Sequence, residues 1–468
     1  MGDEWKMRVS NIGLISKKIT KVDEQFPAQD ILLQTGQIEQ FGSGVYAYGH
    51  IPYLVKKNID NIINEVLTKN GCSELSLPIL QPEQIWKESG RLDKYISEDV
   101  MLQCLTNKGN YCLAPTAEEA VVHYIKSRLT SYKQLPVTFY QIGPKFRNEI
   151  RTRGYLLRGK SFDMMDAYSF GRNYDEMKQE YEKMKNAYLE IFNKLGLKVQ
   201  PVGADNGSIG GSKSEEFMCI SNIGEDNILV DDITGKAFNS ELLERTDCNE
   251  YLKNNHGITN VEGLKIKKAV ELGHIFQLGD KYTKSMNATY IDENGNKKNY
   301  IMGCYGIGVS RTLAMLYENS LIKKNGKIEG ISLPISISPY LLYMIPKLDD
   351  NDKSQQSQFV YHMLNSNGIP VLYDDRNYLS IGSKIKDSKM IGIPYVVIFG
   401  KTLDEGYVEV ENNLTGEKTR MSIENLITSF SILESNRLLD IESLMNKEER
   451  LSENKTTDQV KKLRYRRQ

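Results

Sequence analysis

The feature that most constrains this chain lies within residues 136–170, where two strand-forming runs, "PVTFYQIG" and "FDMMDAYSF", bracket a cationic loop. Apolar and β-favouring residues on both sides predict an antiparallel hairpin. Beside and between the runs lie Lys145, Arg147, Arg151, Arg153, Arg158 and Lys160, around the loop carboxylate Glu149. The whole chain is nearly neutral, with 60 Lys and Arg against 61 Asp and Glu, so this charge is a local feature. Arg147 and Glu149, two residues apart, share one face if the strand runs through them. An arginine there can grip a phosphate with two parallel hydrogen bonds, and the carboxylate beside it can accept from an amine. Phe162, on the return strand, offers a flat apolar face of the kind that stacks under a purine. By itself such a hairpin is equally compatible with a solvated edge strand.

The chain's 468 residues, 40% hydrophobic and 26% charged, predict a globular protein of two to four domains with ample cores. Six cysteines (Cys72, Cys104, Cys112, Cys219, Cys248, Cys304) form no CxxC pair, which points to free thiols in a reducing compartment. No apolar run reaches the roughly 18 residues that cross a bilayer. The opening "MGDEWKMRVS" has acids where a secretory signal has cations, and no apolar stretch follows them. It also lacks the Ser or Thr that accompanies myristoylation. A cytoplasmic protein with no membrane contact is therefore expected.

Periodicity predicts a helix over 52–71, from Val55, Ile59, Ile62, Ile63, Val66 and Leu67. A strand follows at Leu75 and Leu77, stopped by Pro78. The clearest helix spans 173–195, with Met177, Tyr181, Met184, Tyr188, Ile191 and Leu195 on one stripe, read as core or dimer packing. Runs "DNILVD" and "KNYIMGCYG" add strands, giving a mixed, largely antiparallel sheet with flanking helices over 1–322. The polar "KKNGKIEG" is read as the start of a linker, 323–333. Strand and helix patterns then alternate through 334–430, a smaller α/β module. Residues 431–468 form a charged extension, helical at first and then a mobile basic tail ending "KKLRYRRQ".

Three further stretches bear on chemistry. "MGCYGIGVSR" (302–311) sets Gly303, Gly306 and Gly308 where a strand turns into a helix, with Arg311 in position to reach a terminal phosphate. "LAPTAEEA" (113–120) presents Thr116 and Glu118, a hydroxyl and a carboxylate suited to a small ammonium group. "ELGHIFQLGDKY" (271–282) adds His274 and Gln277 near the end of an apolar strand.

Together with "GQIEQFGSGVYAYGHIP" (36–52), "LPILQPEQIWKESGR" (77–91), "QIGPKFRNEIR", "FDMMDAYSF", "IGGSKSEEF" (209–217) and "DDRNYLSIGSKIKDSKMIGIPYVVIFG" (374–400), these segments resemble the class II aminoacyl-tRNA synthetases, and among them the prolyl-tRNA synthetase family, in order from about residue 7 to 420. The resemblance implies an α+β catalytic domain built on an antiparallel sheet, an α/β anticodon-binding domain, and a homodimer with Pro78 in the motif that forms its interface. It implies activation of L-proline by ATP, with Mg²⁺ accompanying the nucleotide, followed by transfer to the 3′ end of tRNA(Pro). Arg147 then meets the α-phosphate and the prolyl carboxylate, Glu149 the adenine amine, Phe162 the adenine ring and Arg311 the γ-phosphate. Arg158 joins the ATP contacts and Gln277 the ribose region, while Thr116, Glu118, His274 and Cys304 line the proline pocket. Arg376 and Lys384 are implied at the tRNA anticodon.

The rival chemistry is a thiol or zinc centre on Cys304 and His274. A catalytic zinc wants three protein ligands, and of the other histidines His123, His256 and His362 fall outside the matched segments, so no protein-bound zinc is expected. Departures from the family pattern leave a second reading open, a paralogue that binds ATP or tRNA without charging it. Ala117 stands where the family usually has His, Lys160-Ser161 precede Phe162 where it has Arg-Glu, and Arg151-Thr152-Arg153-Gly154-Tyr155 replace its usual "RPRFG". Only about 130 residues separate Phe170 from Met302, too few for the editing insertion of many bacterial relatives.

Overall fold

The computed structural model describes residues 7–437, except 17, 18, 20, 208, 232, 233 and 259–263. The chain forms two compact units, Lys17–Asn319 and a second comprising Met1–Ser16 with Ser320–Gln468. No helix among the described residues is long and apolar enough to cross a membrane.

The first unit is organised by a nine-stranded sheet. Its strands are β1 (Ser73–Glu74), β2 (Val137–Phe146), β3 (Ser161–Gly171), β4 (Gln200–Ala204), β5 (Lys213–Ile220), β6 (Asp226–Val230), β7 (Ala237–Asn239), β8 (Lys265–Gly279) and β9 (Ile301–Gly308). They lie in the order β5-β4-β7-β6-β8-β9-β3-β2-β1, with β5 also pairing β8. The central β8-β9-β3-β2 ladder is antiparallel, with Cys304 opposite Phe276 on one side and Tyr168 on the other.

The helix Tyr174–Lys194 closes one face of the sheet. Asn173 caps it by accepting from the Glu176 amide at 2.9 Å, and Asp175 and Glu176 favour its positive N-terminal end. The stripe from Met177 to Leu195 is buried, so it belongs to the core of this unit. The helix predicted over 52–71 is found at His50–Lys69.

Two sequence readings are corrected here. β2 ends at Phe146, so Arg147 and Glu149 do not share a strand face. One more ladder bond runs from the Arg147 amide to the Lys160 carbonyl (3.0 Å), but the Asn148 amide turns to the Val100 carbonyl (2.9 Å) and draws the chain off the sheet. The segment read as a linker is instead the hairpin Leu321–Lys324 with Lys327–Ile331. Its Asn325-Gly326 turn has φ of 51° and 74°, the left-handed pair that a two-residue hairpin demands.

The second unit holds a five-stranded sheet of β10 (Leu342–Pro346), β11 (Val371–Tyr373), β12 (Tyr395–Phe399), β13 (Tyr407–Asn412) and β14 (Lys418–Ser422), in the order β11-β10-β12-β13-β14. The first three are parallel, joined through the helices Asn351–Ser366 and Ile381–Ile391, and the last two are antiparallel. Residues 7–16 belong to this unit rather than to the first. Arg8 bridges Tyr373 in parallel, and Ser10 donates from both its amide (3.1 Å) and its hydroxyl (2.7 Å) to Asp375. A helix continues over 423–437; the basic tail lies outside the described residues.

Candidate active site

On the first unit, β3, β8 and β9, the start of the helix Val309–Asn319 and the loop after β2 enclose a cavity of about 910 Å³ counted to its open mouth. Its wall carries Thr116, Glu118, Arg147, Glu149, Arg158, Phe162, His274, Cys304 and Arg311. Of the residues assigned from sequence to proline and ATP, Gln277 alone is not on that wall. Its backbone carbonyl accepts from the Ser212 amide at 2.9 Å, so its observed part is to hold the 211–212 turn against β8.

Arg147 follows β2 directly. Its Nε donates to the Pro115 carbonyl (3.2 Å), and its guanidinium lies 5.3 Å from the centre of the Phe162 ring. Arg311 sits in the first turn of its helix and donates through Nε to the Leu157 carbonyl (2.8 Å) and through Nη1 to Glu271 (2.6 Å). The two guanidinium groups therefore border a common cavity. Arg158 donates to Glu149 at 2.9 Å, and Arg158 and Arg153 both face Glu225.

The loop owes its course to Gly154. With φ of +60° it takes the left-handed conformation that glycine adopts freely, and a Cβ there would fall 2.8 Å from Leu157 and 2.9 Å from Phe26. Tyr155 follows it, also left-handed, and packs edge-on against Phe26 with centroids 6.5 Å apart.

A second part of the cavity is small and polar. Thr116 donates to Glu118 at 2.7 Å, and Arg91 donates to the same carboxylate oxygen at 3.1 Å. Cys304 is buried beside them; burial first, and then the Glu118 charge, hold its thiol protonated well above the ordinary range. Tyr168 donates to Asp166 (2.9 Å) and accepts from the Ala117 amide (3.1 Å), while Lys145 pairs with Asp166 at 2.6 Å. Burial and the Asp166 charge keep Tyr168 protonated too.

An acidic group that sequence reasoning missed lies beside Arg311. Ligand atoms of Glu216, Glu271 and His274, from β5 and β8, fall within 4.8 Å of one another. His274 stacks on Phe276 with centroids 3.9 Å apart, and its Nδ1 is 3.3 Å from Glu271. Burial opposes ionisation of Glu271, but His274 and Arg311 outweigh it and hold the carboxyl well below the usual range. Burial and the Glu271 charge push Glu216 the other way, and the same causes raise Asp226 to about 6. Among the described residues, Cys304 is not part of this cluster.

Arg376 and Lys384, assigned from sequence to tRNA, are 3% and 1% exposed. Arg376 pairs with Asp374 (2.7 Å) and Asp387 (2.9 Å), and Lys384 donates to the Asp374 carbonyl (3.0 Å). Both cations are consumed inside the second unit and present no charge to a nucleic acid.

Residues 102–320 match the tRNA synthetase class II core domain (G, H, P, S and T), and residues 342–431 match an anticodon binding domain. A proline–tRNA ligase of Ehrlichia chaffeensis is 36% identical over 434 residues, covering 90% of this chain and 99% of that protein. One from Fusobacterium nucleatum is 31% identical over 570 positions, covering 91% of this chain and 99% of itself. As this chain has 468 residues, more than a hundred of those positions have no counterpart in it. The fold is similar to a crystal structure of prolyl-tRNA synthetase from Cryptosporidium parvum complexed with halofuginone and AMPPNP, with a TM-score of 0.67 at 16% identity over 93% of this chain and 80% of that one. On the strength of the near-full-length relatives, this chain belongs to the proline–tRNA ligase family of class II aminoacyl-tRNA synthetases.

Proposed function

We propose that the cavity of the first unit carries both half-reactions of a proline–tRNA ligase. L-Proline and ATP react to prolyl-adenylate and pyrophosphate, and prolyl then passes to the 3′ end of tRNA(Pro). The supporting observation is that Arg147, Arg311 and the Thr116–Glu118 pair line one cavity.

The proline carboxylate attacks the α-phosphorus, and negative charge grows on the phosphate oxygens as the bond to pyrophosphate breaks. No side-chain nucleophile is required; positioning and electrostatic stabilisation supply the rate. Arg147 meets the α-phosphate and the carboxylate, and Arg311 and Arg158 meet the remaining phosphates. Phe162 stacks on adenine, with Glu149 at its amine. Glu118 and Thr116 hold the secondary ammonium, and Cys304 and His274 complete the walls. Mg²⁺ would be held by Glu216 and Glu271, whose oxygens are the hard donors it takes, and when bound it neutralises triphosphate charge.

tRNA engages the second unit through cations other than Arg376 and Lys384. A homodimer through the Pro78 segment belongs to the same reading. So does a cytoplasmic location, supported by six cysteines of which none is in a disulfide.

ATP–pyrophosphate exchange across a panel of amino acids tests this. Proline-dependent exchange without tRNA is expected. Retained ATP binding with no exchange for any amino acid would favour a non-charging paralogue.

A further inference from the structure

Beneath the Thr116–Glu118 niche lies a charge cluster that proline activation, as described, does not use. Arg91, 3% exposed, is sheathed by the rings of Trp86, Tyr95 and Tyr282, whose centroids lie 5.2, 4.5 and 5.2 Å from its guanidinium carbon. Its Nη1 donates to Glu118 Oε2 (3.1 Å) and to both oxygens of Glu119 (3.1 and 3.2 Å). Glu119, fully buried, also accepts from Ser89 Oγ at 2.7 Å. The side chains that hydrogen-bond to Glu119 are donors and favour its ionised form, while burial and the Glu118 charge push its carboxyl up. Lys281, a further cation that feels the two carboxylates, donates its Nζ to the Ile209 carbonyl at 2.8 Å in a solvent-exposed bond.

We propose that Arg91 and Glu119 act as positioning residues that set the charge of the amino-acid niche: Arg91 offsets Glu119 and steers Glu118, leaving one net negative charge for the secondary ammonium of L-proline to complete. This rests on the function proposed above. Two buried carboxylates against one guanidinium leave a deficit of one positive charge, and an uncompensated buried charge is costly. The substrate ammonium removes that deficit. A neutral or differently charged amino group in its place leaves it unmet. The rings of Trp86 and Tyr282 flank the guanidinium, and its Nη2 donates to the Tyr95 hydroxyl, which leaves Nη1 to the two carboxylates.

The charge count makes a prediction that packing alone does not. Glu119→Gln leaves Arg91 opposed by Glu118 only, so the niche is neutral before substrate arrives and the ammonium becomes an excess charge. Arg91→Met leaves two facing carboxylates whose repulsion turns Glu118 out of its place, so the ammonium loses its partner even though the count is more negative. The double variant R91M/E119Q restores the net count of one.

Proline-dependent ATP–pyrophosphate exchange is measured on the full chain for wild type, E119Q, R91M and the double variant, with KM for proline and ATP obtained separately. Each single variant raises KM for proline by about tenfold or more while KM for ATP stays within about twofold, and the double variant returns to within about threefold of wild type. Losses that multiply in the double variant, or a proline KM unmoved in the single ones, overturn the proposal. If R91M does not fold, E119Q decides by itself, since an unchanged proline KM in that near-isosteric variant also overturns it. Absence of proline-dependent exchange in wild type instead removes the proposed function, and the charge-setting role falls with it.

Discussion

Arg158 donates its Nε proton to Glu149 at 2.9 Å, so the carboxylate assigned to the nucleotide base is already held by one of the chain's own cations. ATP must take over both partners. Arg158→Ala therefore removes a phosphate ligand from the loop, and KM for ATP rises about tenfold while KM for proline changes less than about twofold. Initial-rate exchange kinetics at varied ATP check this; equal changes in both KM values would show that the loop serves the whole cavity rather than the nucleotide.

Gly154 governs whether that loop keeps its shape. Gly154→Ala places a methyl group 2.8 Å from Leu157 in a left-handed backbone, a local cost of about 1–3 kcal/mol. The loop loosens while the sheet stays intact, and trypsin cuts faster after Arg151 or Arg153. An unchanged cleavage rate would mean that the loop is held elsewhere.

How much of this was legible beforehand depended on sequence distance. Segments whose residues act within one hairpin or one strand-to-helix turn, such as those of Arg147, Phe162 and Arg311, carry their placement in local pattern. The Glu216–Glu271–His274 group does not, because β5 and β8 bring it together from 50 residues apart and more in the chain. Charge was misleading where burial decides: Arg376 and Lys384 read as surface cations until Asp374 and Asp387 are seen to absorb them. Asn325-Gly326 carried a readable hairpin signal that its polar surroundings masked. The docking of residues 7–16 on β11 spans some 360 residues of chain and leaves no local trace.

The acidic group beside Arg311 should be visible in stability. Burial and Glu271 raise Asp226 to about 6 in the folded chain, above its unfolded value near 3.8. The native state thus holds a proton longer than the unfolded one, so this group lowers stability as pH rises from about 4 through 6. Asp226→Asn abolishes that loss. In chelator-treated protein, denaturant unfolding should find D226N more stable than wild type by up to roughly 2 kcal/mol at pH 7.5, with the difference vanishing near pH 4. A variant less stable at pH 7.5 would refute the raised value.

On the proposed function, selection against alanine is expected to rest on the niche alone. A pocket separates substrates differing by a methylene by only about 1–3 kcal/mol. Purified protein should form some Ala-tRNA(Pro) and leave it intact over the course of charging. Rapid hydrolysis of preformed Ala-tRNA(Pro) by the protein alone would contradict this.

The central claim is that Arg147 and Arg311 serve one triphosphate from the walls of one cavity. Proline-dependent ATP–pyrophosphate exchange by Arg147→Ala, with folding verified by its thermal transition, tests it most directly. Exchange reduced by at least about a thousandfold in a folded protein is the outcome predicted for a lost phosphate-stabilising contact. Exchange within about threefold of wild type would contradict it.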